Sequence, residues 1–224
     1  MAKQKANEAD QLRDFVDNAE HFYEQYKFVI LGVLVALIVA VGGFWVYKNM
    51  IKAPKEEKAQ NAIYGAQELF ARDSFALALK GDGTALGFET IASKYKGTAA
   101  GNTAKFYAGV CELQTGNFTG AIKYLEDFDT EDEILTARKF GCIGDAYAEQ
   151  EQIDKAIDNY KKAIDATDNE VIAPSYIYRL AAAYEFKKDY KSALEQYKNV
   201  FDNYPNTQEA SAAEMVIAKL EQMQ

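Results

Sequence analysis

The chain has 224 residues, and its 25 Lys or Arg stand against 34 Asp or Glu for a formal charge of -9. The deficit falls in residues 59–224, which hold 17 Lys or Arg and 26 Asp or Glu, so this part repels phosphate backbones and anionic headgroups and is a poor candidate for nucleic-acid binding. Two cysteines, Cys111 and Cys142, cannot build a disulfide framework and lack the Cys or His neighbours of a metal site; they read as small buried packing residues, with one disulfide between them as the alternative.

Residues 1–27 read as a short polar tail with four Lys or Arg and six Asp or Glu. From Phe28 to Val46 the sequence runs FVILGVLVALIVAVGGFWV without a charge, close to the roughly 20 residues with which a helix crosses a hydrocarbon core. Lipid offers backbone polar groups no water, so the stretch predicts a single transmembrane helix at 28–46. Phe22, Tyr23 and Tyr26 before it, and Phe44, Trp45 and Tyr47 at its far end, are rings suited to the headgroup region. The acidic leader and the lack of an Ala-x-Ala site argue against a cleaved signal peptide. Residues 47–58 form a basic juxtamembrane linker with Lys48, Lys52, Lys55 and Lys58. Weighed against Arg13 and Lys27 alone, these lysines favour a cytoplasmic C-terminal part; counting Lys3 and Lys5 levels the two sides, so charge leaves both topologies open.

Beyond the linker the apolar period is helical almost throughout, which predicts an all-α fold. Residues 59–101 read as an irregular helix pair, with helices at Lys55 to Phe70 and Phe88 to Tyr95 around a loop at 71–87. In that loop Gly81, Gly83 and Gly87 follow G-x-G-x-x-x-G, which is not the spacing of a dinucleotide loop, and no strand–helix–strand unit surrounds them; a turn is expected. Residues 102–206 then repeat at about 34 residues, the period at which helix pairs stack into a solenoid. The copy after Pro174 reads SYIYRLAAAYEFKKDYKSALEQYKNVFDNYP, with Leu180, Ala181 and Tyr184 on its first helix, Ala193, Tyr197 and Val200 on its second, and Pro205 closing it. The copy from about Ala137 has Ile143, Gly144, Tyr147, Ala156, Tyr160 and Ala163 in the same places. The one from about Asn102 has Ala108, Gly109, Gly116, Phe118, Ala121, Leu125 and Phe128, with Glu112 where an aromatic is usual. This pattern resembles the tetratricopeptide repeat. The resemblance implies that the small residues Gly109, Ala121, Gly144, Ala156, Ala181 and Ala193 let helices approach while large ones fill the gaps. Residues 207–224 read as an amphipathic capping helix started by Asn206 or Thr207.

Chemistry-bearing clusters are sparse. Asp127, Asp129, Glu131, Asp132 and Glu133 resemble the start of a calcium loop, but Asp132 stands at the sixth position where glycine is needed and Arg138 at the twelfth where glutamate is needed. The one histidine, His21, precedes the apolar run, so the repeat region has no imidazole for acid–base or triad chemistry. No catalytic, cofactor-binding or metal-binding residues are assigned, and no enzyme activity or small-molecule substrate is expected. The repeat resemblance implies instead a concave groove lined by five positions of each first helix: Thr103, Phe106, Val110, Leu113 and Gln114; Arg138, Gly141, Asp145, Ala148 and Glu149; Ser175, Tyr178, Ala182, Glu185 and Phe186. Phe106, Val110, Arg138, Asp145, Glu149, Tyr178, Glu185 and Phe186 are the candidate partner contacts, with basic partner residues expected at Asp145, Glu149 and Glu185. Repeats that clasp the C-terminal tails of cytosolic chaperones place Lys and Asn where Phe106 and Val110 stand, so that target class is set aside.

A short tail, one transmembrane helix, a lysine-rich linker and divergent repeats resemble in layout the bacterial ancillary subunit of the Sec translocon. That resemblance implies a bacterial inner-membrane, single-pass protein with its repeats in the periplasm, binding translocon subunits or chaperones. A structural scaffold for envelope-assembly or cell-division complexes is the alternative.

Overall fold

The computed structural model describes the backbone of residues 2–222, and side chains from residue 22 onward except residue 30. His21 and the last two residues of the expected cap lie outside the described side chains. The chain divides into two units, residues 1–54 and 55–224. The first is the helix α1 (Ala2–Val46) followed by a π-helical stretch, Tyr47–Lys52. Its apolar run is long and apolar enough to cross a membrane, and the described side chains from Phe28 to Val46 are exposed.

The second unit is a string of helices: α2 (Ala53–Ala71), α3 (Phe75–Lys80), α4 (Phe88–Lys94), α5 (Ala99–Gln114), α6 (Phe118–Asp127), α7 (Glu133–Glu149), α8 (Ile153–Asp165), α9 (Ala173–Phe186), α10 (Tyr190–Asn203) and α11 (Gln208–Glu221). Each packs on the next along most of the chain, with α5 also touching α7 and α9 touching α11. The segment 71–87, expected as a loop, holds the short helix α3 in its first half. Ala78 and Leu79 are buried there with Phe88, Ile91 and Ala104, and this burial stabilises a helical turn that the alternating pattern SFALALK had concealed. Its second half is the expected turn, with Gly81 and Gly83 at φ near +90° and Asp82 accepting from the Thr84 and Ala85 amides.

The same junction closes four helices. After α2, α5, α7 and α9 one residue turns left-handed: Asp73, Gly116, Glu151 and Lys188. In each case that residue's N–H and the next one bond back into the last helical turn, as from Glu151 to the Ala148 carbonyl and Gln152 to the Tyr147 carbonyl. Thr98, Asn117, Asp132, Asp189 and Thr207 then cap the helices that follow them by accepting an amide N–H three residues on. Glu112, misplaced by the repeat pattern, is buried and accepts from Asn117 Nδ2 at 2.9 Å, so it braces the turn from below.

The core is a succession of clusters with no single centre. One joins α2 to α5 around Ile63, Phe88, Ile91 and Cys111; the next lies around Phe106, Leu125 and Ile143; further ones follow around Tyr160 and Leu180, and around Tyr197, Val200 and Leu220. Small residues permit the close crossings. A Cβ on Gly109 would lie 2.6 Å from Leu125 Cγ, and one on Gly144 would lie 2.6 Å from the Tyr160 ring. The two cysteines are free thiols in separate clusters, each pushed up to about 12 by burial first and a neighbouring carboxylate second.

Candidate partner-binding groove

Helices α5, α7 and α9 turn one face each toward a common hollow of about 780 Å³. Phe106, Val110 and Leu113 from α5, Phe128 from the α6–α7 connection, Leu135 from α7 and Tyr176 from α9 give it an apolar wall. Phe106 is steadied by Phe128, at 5.3 Å between ring centroids, and by Tyr107, at 5.9 Å. The rim is fixed by Asn102, which donates to the Asp129 carbonyl at 2.6 Å and accepts from the Asp129 N–H at 3.2 Å.

The polar wall lies between α7 and α9. Asp145 accepts from Tyr160 Oη at 2.9 Å and from Arg179 Nη1 at 2.7 Å. Burial raises the Asp145 carboxyl above its ordinary 3.8, opposed by Arg179 and the Tyr160 hydroxyl, and the same burial pushes Tyr160 up. Tyr176 is pushed up to about 12, mainly by burial. Arg179 also lies over the Tyr176 ring, 5.6 Å from its centroid. For a raised carboxyl the sign is fixed: below 3.8 the folded and unfolded states both hold the proton, and stability falls as pH rises through the folded-state value. A ¹³C NMR titration is expected to place the Asp145 carboxyl above 3.8, and Arg179→Met is expected to raise it further by removing the cation. A midpoint at or below 3.8 in the unsubstituted protein would contradict this wall.

A second hollow of about 400 Å³ adjoins the first, since Arg179 lines both; it is bounded by Ala148, Glu149, Glu151, Ile153, Ala182 and Phe186 among others. Of the candidate contacts, Phe106, Val110, Arg138 and Asp145 line the larger hollow, and Glu149 and Phe186 the smaller. Tyr178 and Glu185 line neither. Tyr178 packs in the cluster of α9, α10 and α11, with Tyr197 at 5.3 Å, and Glu185 accepts from Tyr197 Oη at 3.2 Å and Lys219 Nζ at 3.0 Å. Tyr197 of α10 engages both side chains, and Lys219 of α11 pairs with Glu185. The expected acidic character also changes, because Asp145 and Glu185 already hold cations of their own chain.

Sequence reasoning missed Tyr176 and Arg179. Their signal was Gly141, a glycine at a groove position that carries Phe106 and Tyr178 in the neighbouring repeats. A Cβ there would collide with the Tyr176 ring, so the missing side chain marks where α9 reaches across to α7.

Residues 143–170 and 176–207 each match the tetratricopeptide repeat family. No curated protein matches the sequence. Among solved structures the chain is similar to the crystal structure of MamA protein, at 16% identity over 74% of this chain and 87% of that one with a TM-score of 0.56. It is also similar to a Podosopora anserina kinesin light chain with nearly identical TPR-like repeats, at 13% identity over 74% and 85% with a TM-score of 0.58. These likenesses carry the fold. The described helices from Lys55 onward form a solenoid of the tetratricopeptide type, a fold that serves protein–protein interaction, with sequence-level repeats at 143–170 and 176–207.

Proposed function

We propose that this chain is a membrane-anchored adaptor that holds a segment of a partner protein in the groove between α5, α7 and α9. The observation that carries the reading is the pair of adjoining hollows on one face, in which the half-buried Val110 and Ser175 and the exposed Gln114 and Phe186 surround an apolar wall with few fixed polar groups. Such a lining suits the apolar and aromatic anchors of a peptide. The anchor is Phe28–Val46, supported by its length, its freedom from charge and the rings at both ends.

The layout of tail, span, basic linker and repeats supports a place beside the Sec translocon, in the bacterial inner membrane with the repeats in the periplasm. There the groove would receive translocon subunits or chaperones. Photo-crosslinking residues placed at Gln114 or Ser175 in living cells test this: adducts with translocon subunits or periplasmic chaperones are expected, and recovery of neither rejects the placement. Alkaline phosphatase fused to the C-terminus is expected to be active, and an inactive fusion rejects the periplasmic side.

A second reading, a scaffold for envelope assembly or cell division, draws on another surface. A hollow of about 310 Å³ lies on α10 and α11, lined by Lys198, Phe201, Asp202, Glu214 and Ile217, and offers a further contact beyond the groove. It predicts a partner of fixed stoichiometry whose capture survives groove substitutions.

A further inference from the structure

Resting on the groove reading above, we propose that the occupant is one extended segment that carries an acidic side chain next to an apolar one and a basic side chain beyond the acid. The larger hollow holds two guanidiniums on its α7–α9 wall, Arg138 and Arg179, and both lie near enough to Cys142 and Tyr176 to act on them electrostatically. That wall has a single carboxylate, Asp145, and Arg179 and Tyr160 already occupy its two oxygens. Arg138 therefore forms no ion pair among the described residues. The other carboxylate of this hollow, Asp129, is exposed on the α6–α7 connection, at the rim. A cation beside Phe106, Val110 and Leu135 recognises a carboxylate next to an apolar side chain.

The smaller hollow carries an excess of carboxylates. Glu149 and Glu151 are exposed at its edge and form no ion pair among the described residues, with Phe186 beside them. Lys or Arg in the occupant meets both carboxylates there and lays its stem along the ring. Because Arg179 borders both hollows, the two binding sites are consecutive along one path. The acid is assigned to a side chain, which lets the occupant run on past Arg138 at both ends, and C-terminal amidation tests that assignment.

The test uses the full chain in non-ionic detergent, panned against a display library of random twelve-residue peptides. Enriched peptides are expected to place the acidic residue between the apolar and the basic one. Binding of one such peptide, read by fluorescence anisotropy, is expected to weaken about tenfold with Arg138→Gln, and the peptide's own Glu→Gln change is expected to remove that sensitivity. Glu149→Gln combined with Glu151→Gln is expected to weaken the peptide only while its Lys is present. C-terminal amidation is expected to leave binding unchanged; loss on amidation overturns the side-chain assignment. Enriched peptides that lose binding with Val110→Lys but tolerate Arg138→Gln overturn the charge order and leave the groove standing. Peptides that tolerate Val110→Lys, or no enrichment at all, reject the groove reading as well. All three variants sit at incompletely buried positions, and an unchanged melting temperature confirms their folding.

Discussion

Phe88→Ala is expected to destabilise the second unit by about 4 kcal/mol, near the middle of the range for removing a buried aromatic ring. Phe88 is fully buried, stacks on Tyr107 at 4.9 Å between centroids and 11° between planes, and meets Phe70 edge-on at 6.3 Å. Its cluster binds α2, α3, α4 and α5, and none of the buried residues of that cluster comes from α9, α10 or α11. Damage there should stay local, because stability in a stacked array is a sum of neighbouring interfaces. Hydrogen exchange read by mass spectrometry is therefore expected to show lost protection in α2 to α5 with protection kept in α9 to α11. Uniform loss through all helices, or a change below about 1 kcal/mol in denaturant unfolding, would contradict the arrangement of separate clusters.

Tyr160→Ala is expected to cost a similar 3–5 kcal/mol for two reasons that a second variant separates. Tyr160 is buried, its ring lies where a side chain on Gly144 would have to go, and its hydroxyl holds Asp145. The alanine variant opens a cavity between α7 and α8 and also strips a donor from the carboxylate. Tyr160→Phe keeps the ring and removes only the hydrogen bond, so it is expected to cost about 1–3 kcal/mol. The loss should depend on pH. The hydroxyl favours ionised Asp145, so its removal raises an already raised carboxyl, and the stability lost as pH climbs through the folded-state value grows. Denaturant unfolding of Tyr160→Phe at pH 7 should show a larger loss than at pH 3, where the carboxyl carries its proton in both states. An equal loss at both values would place the hydroxyl's contribution elsewhere.

The repeats were legible because their signal is steric and local. Gly144 and Ala156 sit at fixed distances from Tyr147 and Tyr160, and the structure puts each small residue at a crossing. Thr207 could be read as a cap, since an oxygen three residues ahead of an orphan amide serves that amide alone. Helix α3 was not legible, because Phe75 to Lys80 alternates like a strand and becomes helical through contacts with α4 and α5, which begin eight and nineteen residues beyond its end. The fate of Tyr178 and Glu185 was hidden for a related reason. Their positions are those of Phe106 and Leu113 on α5, but α11 follows them with Lys219 and an apolar face, and only the packed array brings that helix near. Pairing of Asp145 with Arg179 spans two repeats, so neither repeat announces it alone.

The left-handed junctions after α2, α5, α7 and α9 bear on how readily this molecule could be given a new ligand. Each junction closes through main-chain bonds, with glycine at only one of the four and Asp, Glu or Lys at the others. The hairpin geometry is thus set by backbone and buried small residues, while Gln114 and Phe186 stand exposed on the groove face. Those two positions form an editable face on a fixed chassis, and a library varied there alone would sample new specificities without disturbing how the chain folds.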